Sequence, residues 1–306
     1  MKDSSRGLLR LRSRAVLLSL AAAALLLGGA WLLRGGNGSD RKPRIQFPPA
    51  PRLEAAIAAA QERLKADPQD LGALLELGIL HFEKGREYYP EAINELEEAR
   101  ELGALDARIF YCLGTMYQEA GLYPFALEEY RRFLRHHPDD KEVRLLAAKL
   151  LYQQGQFAEA VSHYERLKYH FPEDSLIEEN LGLSLWGAKA AERALESFSQ
   201  LKAMGPKQAR RAEFYIGQIY YERGEFPAAL EHLQKSLPEE GASAGIPPEK
   251  IHAALALTYQ KLSQPRQAKA SWEKVLALAP GDPKALAALR ELNRRFPPKK
   301  QPRTRT

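Results

Sequence analysis

Histidine and cysteine are the side chains best suited to bind metal ions or to act as nucleophiles, and the chain has only seven histidines and one cysteine, Cys112. No two histidines stand four residues apart with an acid between them, and no cysteine accompanies them, so no metal-binding spacing is present. Cys112 shows no partnership with a histidine and an Asn or Asp, which favours a buried or groove-lining thiol over a nucleophile. A glycine-rich phosphate-binding loop is also missing. The sequence therefore predicts a protein that is not an enzyme and that takes no cofactor, metal ion or small-molecule substrate.

The positive charge of the chain lies at its two ends. The net charge is +6 over 306 residues, but residues 1–50 hold nine Lys or Arg and two acids, and residues 297–306 hold four Lys or Arg and no acid. The body between them, 51–296, therefore carries a net charge of −5. Two basic ends around an acidic body argue against a nucleic-acid-binding domain, so we expect no nucleic acid partner.

An uncharged apolar segment, residues 15–33, stands between Arg14 and Arg34. As a helix it would span about 28 Å, close to the roughly 30 Å hydrocarbon core, which predicts one transmembrane signal-anchor helix after a basic segment, 1–14. A cleaved secretory signal is the alternative, with a small-x-small cleavage site at residues 28–30. Trp31 favours the anchor, because it stands where an interfacial aromatic residue belongs.

The basic residues around this segment predict its orientation. Five precede it and four follow closely, and the leading cluster is denser, which favours a cytoplasmic amino terminus. We therefore expect a single-pass protein of the inner (cell) membrane with its body on the periplasmic, or extracytoplasmic, side. A flexible linker, residues 34–50, would hold the body away from the bilayer. A cytoplasm-facing body, or a secreted soluble one after signal cleavage, stays open.

The body contains an internal repeat. Alanines recur at intervals of 34, 34, 34, 35 and 39 residues, at Ala92, Ala126, Ala160, Ala194, Ala229 and Ala268. About twelve residues before each alanine stands a small residue, at Gly78, Gly114, Ala148, Gly182, Gly217 and Ala256. Four residues after it stands a large one, at Leu96, Tyr130, Tyr164, Phe198, Leu233 and Trp272. Such a period is typical of stacked helical hairpins, in which no hairpin can bury its apolar face alone.

In these positions the sequence resembles the tetratricopeptide repeat (TPR) family, most clearly over residues 110–138, and it looks like a membrane-anchored bacterial member. The resemblance covers roughly 51–296 and implies an all-α fold. That fold is a right-handed α-solenoid of stacked helix–turn–helix hairpins, here preceded by one transmembrane helix. In the family's pattern a proline closes each unit, and four units match it at Pro138, Pro172, Pro206 and Pro280.

The residues at the predicted turns have a physical reason to recur. Glycines would supply the left-handed turn residue between the two helices of a unit, at Gly85, Gly121, Gly155 and Gly224. Prolines would start second helices, where a missing N–H costs nothing, at Pro90, Pro124 and Pro227.

We predict six full repeats between two terminal helices. The repeats lie near 71–104, 107–140, 141–174, 175–208, 210–243 and 249–282. A partial leading repeat covers 51–66. A capping helix covers 283–296, with Leu286 and Leu289 facing inward. Residues 297–306 are predicted to form a disordered basic tail. The Gly- and Pro-rich segment 238–248 is either a plain loop insertion or a hinge or partner-binding loop.

The predicted function is a non-enzymatic protein–protein interaction scaffold, tethered to the membrane, that binds a peptide or protein of an envelope assembly or secretion system. A cytoplasm-facing adaptor that recruits soluble enzymes or a protease is the alternative. In the co-chaperone members that clamp a C-terminal carboxylate, Lys and Asn occupy the fifth and ninth positions of a first helix. None of the six equivalent pairs here is Lys and Asn, so that clamp is not supported.

The first helices of the repeats are expected to line a peptide-binding groove. On each first helix one position directly follows a packed residue, and aromatic residues recur at that position beside scattered polar groups. Such residues dominate interface hot spots. The predicted groove residues are Phe82, Tyr111, Gln118, Lys149, Tyr152, Asn180, Trp186, Arg211, Phe214, Gln218 and Tyr221. The alternative is that the aromatic residues fill gaps between neighbouring first helices and never meet a ligand.

Overall fold

The computed structural model describes residues 50–238 and 245–296, and the regular elements in this part of the chain are all helices. They are α1 (Ala50–Ala66), α2 (Leu71–Lys84), α3 (Tyr89–Glu101), α4 (Ala107–Glu119), α5 (Tyr123–His136), α6 (Lys141–Gln153), α7 (Phe157–His170), α8 (Ser175–Gly187), α9 (Ala191–Ala203), α10 (Pro206–Glu222), α11 (Phe226–Lys235), α12 (Pro248–Lys261), α13 (Pro265–Leu278) and α14 (Pro283–Arg295). A short 3-10 turn, Arg86–Tyr88, accounts for the two-residue insertion before α3. The predicted all-α fold of stacked hairpins is confirmed.

Four predicted segments lie outside the described residues: the basic segment 1–14, the transmembrane helix 15–33, most of the linker 34–50 and the tail 297–306. Part of the insertion 238–248 lies outside them as well, and α12 begins at its last residue, Pro248. Among the helices that are described, none combines the length and the apolar character needed to cross a bilayer.

The chain divides into two compact units, one ending at Gln154 and one starting at Gly155. In the first, α2 pairs with α3 and α4 pairs with α5, while α1 packs on α2 and α6 packs on α5. In the second, the pairs are α8 with α9, α10 with α11 and α12 with α13, while α7 packs on α8 and α14 packs on α13. Each unit is thus a short stack of hairpins.

The predicted repeat register is confirmed by the packing inside each hairpin. The six recurring alanines are all fully buried. A Cβ built on Gly114 would lie 2.6 Å from Tyr130 Cε1, and one built on Gly182 would lie 2.7 Å from Phe198 Cε1. The small residue of the first helix therefore faces the large residue of the second, and the two backbones approach as closely as a glycine allows.

Three of the four predicted turn glycines are left-handed: Gly121, Gly155 and Gly224, with φ angles of 75°, 71° and 79°. The prediction is wrong for Gly85, whose φ of 116° and ψ of −176° form a different conformation that favours glycine. Two hairpins without a glycine use other residues in the left-handed conformation, Lys189 with φ 63° and Ser263 with φ 57°.

Most first helices begin with an aspartate whose side chain caps the helix. Carboxylate oxygens of Asp70, Asp140 and Asp282 accept hydrogen bonds from backbone N–H groups three residues on, and Asp106 and Asp174 cap α4 and α8 in the same way. These aspartates recur with the repeat. They mark the start of most first helices in the sequence, and the pattern of small residues does not include them.

Two predictions about helix ends are wrong. Pro206 does not close a unit; it is the first residue of α10, because Gly205, with φ 130°, has already reversed the chain. In the capping helix α14 the prediction is wrong for Leu286, which is exposed, and right for Leu289, which is half-buried and packs against the cluster that contains Ala285 and Leu292.

Buried carboxylates tie successive hairpins of the second unit together. Lys168 of α7 donates to Glu178 of α8 at 3.0 Å, and Lys202 of α9 pairs with Glu213 of α10. Both carboxylates are almost fully buried, and Glu213 also contacts the His232 ring at 2.6 Å. The two lysines and the two glutamates occupy equivalent repeat positions, so the same ion pair recurs between successive hairpins.

Candidate functional site

In the first unit the predicted groove residues lie on the first helices of successive hairpins: Phe82 on α2, Tyr111 and Gln118 on α4, and Lys149 and Tyr152 on α6. The Phe82 ring contacts Tyr111 edge-on, with ring centroids 6.3 Å apart, so the structure brings these two predicted residues together. Lys149 and Tyr152 are exposed, and the other three are half-buried.

Two of the polar groups in this unit bond within the stack. The Tyr111 hydroxyl donates to Glu142 of α6 at 3.2 Å, a contact between neighbouring first helices. The side-chain oxygen of Gln118 accepts from the Tyr130 hydroxyl at 3.0 Å. Burial and the nearby carboxylate of Glu142 raise the pKa of Tyr111 well above its usual value, so its hydroxyl stays protonated and remains a donor.

In the second unit the predicted residues lie on α8 and α10. Asn180 and Trp186 belong to α8. The other four lie on α10: Arg211, Phe214, Gln218 and Tyr221. All six are half-buried. The Trp186 indole N–H donates to Glu222 of α10 at 2.9 Å, and the Asn180 amide donates to the backbone carbonyl of Leu176 at 2.8 Å. Tyr221 packs edge-on against Phe226, and Phe214 packs edge-on against Tyr215.

Arg211 is the most heavily bonded of the predicted groove residues. Its guanidinium pairs with Glu179 of α8 and donates to the backbone carbonyl of Gly245 at 2.9 Å. The Tyr215 hydroxyl donates to the same carboxylate at 2.8 Å. Sequence reasoning missed Glu179 and Tyr215, although both occupy first helices. Tyr215 stands four residues after Arg211 on α10, and only the stacking of α8 on α10 brings Glu179 to these two side chains.

The recurring aromatic residues are neither fully buried nor fully exposed. Phe82, Trp186 and Tyr221 each contact a neighbouring side chain and are half-buried, and Tyr152 keeps 36% of its surface exposed. These side chains fill gaps between helices and each keeps part of its surface exposed to solvent, and the peptide-binding groove stays a prediction.

Two side chains of the types that can act as nucleophiles or metal ligands, Cys112 and His81, are buried. Cys112 is buried, as expected, and burial raises the pKa of its thiol far above the usual value, so the thiolate is disfavoured. His81 and Glu95 meet at 2.7 Å and link α2 to α3. Burial lowers the pKa of His81 and raises that of Glu95 to about 8. Within the described ranges no group of three or more His, Cys, Asp or Glu side chains could hold a metal ion.

The comparisons with known proteins agree with this geometry. A sequence profile described as tetratricopeptide repeat matches residues 113–175, 145–209 and 179–244. No curated protein matches the chain significantly.

Solved structures of similar fold share little sequence with this chain. The C-terminal part of a TPR repeat-containing protein from Cytophaga hutchinsonii has a TM-score of 0.60 at 16% identity, covering 78% of this chain and 95% of that one. YrrB, a TPR protein with an unusual peptide-binding site, has a TM-score of 0.50 at 19% identity over 59% of this chain and 92% of that one. Naa15/Naa10 bound to HypK-THB has a TM-score of 0.53 at 17% identity, covering 79% of this chain and 37% of that one.

The hairpin register and the matching profile define an α-helical repeat protein, and the profile identifies residues 113–244 as tetratricopeptide repeats. This fold is typically a non-catalytic scaffold for protein–protein interaction.

Proposed function

We propose that the chain is a membrane-tethered scaffold whose first helices bind a peptide or protein partner of an envelope assembly or secretion system. The observation that carries this proposal is the half-exposed state of the aromatic residues that recur on the first helices, with polar groups beside them. Rigid aromatic surfaces that a partner can still reach are typical of interface hot spots. A peptide-binding site on the same fold in YrrB supports the idea.

The membrane tether and the extracytoplasmic location of the body rest on the amino-terminal sequence. The uncharged segment 15–33 has the length of one bilayer span, and the denser basic cluster precedes it. The tether would concentrate the scaffold at the membrane where an integral or envelope partner resides.

Partner capture tests the binding surface. Trp186→Ala and Tyr152→Ala remove an aromatic ring from each unit, and Tyr169→Ala is the matched control because its side chain, on second helix α7, is 83% exposed. In crosslinking pull-downs with the full-length chain, we expect partner capture to be lost in the first two variants and kept in the control. Capture that survives in both Trp186→Ala and Tyr152→Ala would contradict the proposal.

Topology is tested separately with alkaline phosphatase or a fluorescent protein fused after Thr306. Active phosphatase supports the extracytoplasmic body. A fluorescent fusion without phosphatase activity would instead favour the cytoplasm-facing adaptor. Amino-terminal sequencing of the mature chain distinguishes the retained anchor from a cleaved signal and a secreted soluble protein.

A further inference from the structure

A glutamate carboxylate is contacted by both a tyrosine hydroxyl and an arginine guanidinium at two places in the structure. The tyrosine and glutamate oxygens lie 2.7 and 2.8 Å apart, and the arginine balances the charge of each carboxylate. The two groups are Tyr117 with Glu97 and Arg100, and Tyr215 with Glu179 and Arg211. The chain itself thus shows which cation its tyrosine–glutamate pairs accept.

A third tyrosine–glutamate pair, Tyr111 of α4 and Glu142 of α6, has no arginine beside it in the described residues. The Tyr111 hydroxyl donates to Glu142 at 3.2 Å, and this donor is neutral. The charged group that acts on Glu142 is Asp140, which is negative. Burial and this like charge raise the pKa of the Glu142 carboxyl above its usual value. The pair therefore contains an unbalanced negative charge.

Cations of the two helices that form the pair are placed elsewhere. Arg108, at the start of α4, contacts Asp106 at 2.7 Å, and Arg144 of α6 donates to a backbone carbonyl in the preceding loop. Lys149 stands seven residues after Glu142, which is about 10 Å along the helix. These three cations therefore do not balance the charge of Glu142.

Both members of the pair can be reached from solvent. Tyr111 and Glu142 are half-buried and lie on first helices, which carry the predicted groove. The Tyr111 ring is held by two neighbours, with centroid distances of 6.3 Å to Phe82 and 6.4 Å to Phe133. A guanidinium bonded to Glu142 would lie beside this ring, and aromatic rings attract cations.

The first unit as a whole attracts positive charge. Residues 51–154 hold 13 Lys or Arg and 19 Asp or Glu, a net charge of −6. A basic segment of a partner is therefore drawn to the unit that contains the unbalanced carboxylate.

We propose that Tyr111 and Glu142 form a binding site for an arginine side chain of the partner. The partner's arginine would complete the arrangement that Arg100 and Arg211 complete within the chain. Its guanidinium would donate to Glu142 and lie against the Tyr111 ring, and its planar shape allows both contacts at once, which a lysine ammonium does not. The inference rests on the proposed function and names one side chain that the partner contributes.

A random dodecapeptide display library, selected against the full-length chain, tests the site without assuming a partner. Three proteins are compared: wild type, Glu142→Gln and Glu91→Gln. Glutamine can still accept the hydrogen bond from Tyr111, so Glu142→Gln removes only the charge. Glu91 is the matched control because it is exposed on second helix α3 and its replacement changes the net charge equally. We expect wild type and Glu91→Gln to enrich arginine-containing peptides, and Glu142→Gln to lose this enrichment.

The strongest peptide selected by wild type is then labelled and titrated by fluorescence anisotropy. Glu142→Gln should weaken its binding about tenfold, as should replacement of its arginine by uncharged citrulline. Thermal melting of the three proteins is the control for folding, and Glu142→Gln should melt no lower than wild type because it keeps the bond to Tyr111. Equal enrichment of arginine by wild type and Glu142→Gln, or no enrichment of arginine by wild type, overturns the site.

The outcomes separate this inference from the function on which it rests. Partner capture that depends on Trp186 but is unchanged in Glu142→Gln would overturn the arginine site and leave the scaffold function standing. Capture that depends on neither residue would remove both.

Discussion

Gly182→Ala is the sharpest test of the packing inside a hairpin, because it adds a single methyl group. The new Cβ would lie 2.7, 2.9 and 3.0 Å from three atoms of the Phe198 ring, whereas ordinary contacts begin near 3.4 Å. The ring has no room to retreat: Phe198 is fully buried and stacks on Tyr215 with centroids 5.0 Å apart, and the Tyr215 hydroxyl is held by Glu179 at 2.8 Å.

Two opposing effects set the size of the change. Overpacking a tight core costs about 1–3 kcal/mol. Replacing glycine by alanine inside a helix returns about 1 kcal/mol of helix propensity. A contact of 2.7 Å with a ring that cannot move places the overpacking cost at the upper end of that range, about 2–3 kcal/mol. The net expectation is a loss of about 1–2 kcal/mol, which corresponds to a fall in Tm of roughly 2–8 °C for a unit of this size.

Thermal unfolding followed by circular dichroism measures the change, with Gly281→Ala as the matched control. A Cβ on Gly281 would meet nothing within 4 Å, so this variant should melt within about 1 °C of wild type. Adding Phe198→Leu to Gly182→Ala should recover part of the loss, because the shorter side chain frees the contested space. If Gly182→Ala melts at or above wild type, or if Gly281→Ala loses as much, the packing argument is refuted.

Four further outcomes are expected. Ala160→Leu should cost about 1–3 kcal/mol because Ala160 is fully buried, whereas Ala158→Leu should be nearly neutral because Ala158 is exposed; equal melting of the two would contradict the register. Glu83→Gln should have the same free energy of unfolding as wild type below about pH 4.5 and a higher one, by about 1 kcal/mol, above pH 7. Burial raises the pKa of the Glu83 carboxyl to about 7, so the folded chain disfavours its charged form, which glutamine cannot take. Melting curves from pH 4 to 8 check this sign. Trp186→Ala should cost about 1–2 kcal/mol, less than a fully buried Trp, because Trp186 is half-buried; a loss beyond 3 kcal/mol would make it a core residue. Cys112 should react with a maleimide only after denaturation, and rapid labelling of the native chain would contradict its burial.

The sequence by itself determined the hairpins and their register. The period of about 34 residues, the small residue facing a large one and the turn glycines are local or nearly local signals, because the two helices of a hairpin are joined by a short turn. Gly114 and Tyr130, only 16 residues apart, meet as the pattern predicted. Local signals failed at Pro206, where one proline is compatible with either the end or the start of a helix, and Gly205 decided between them.

The tertiary structure alone decided how each hairpin meets the next. Tyr111 reaches Glu142, Trp186 reaches Glu222 and Arg211 reaches Glu179, over separations of 31, 36 and 32 residues. Such pairs depend on the rotation of one first helix against another, which no pattern within a single helix records. The capping helix gives a second example, since its rotation about its own axis leaves Leu286 exposed and Ala285 buried. One residue along a helix changes the direction of a side chain by about 100°. The polar partners within the candidate groove are therefore a property of the stack.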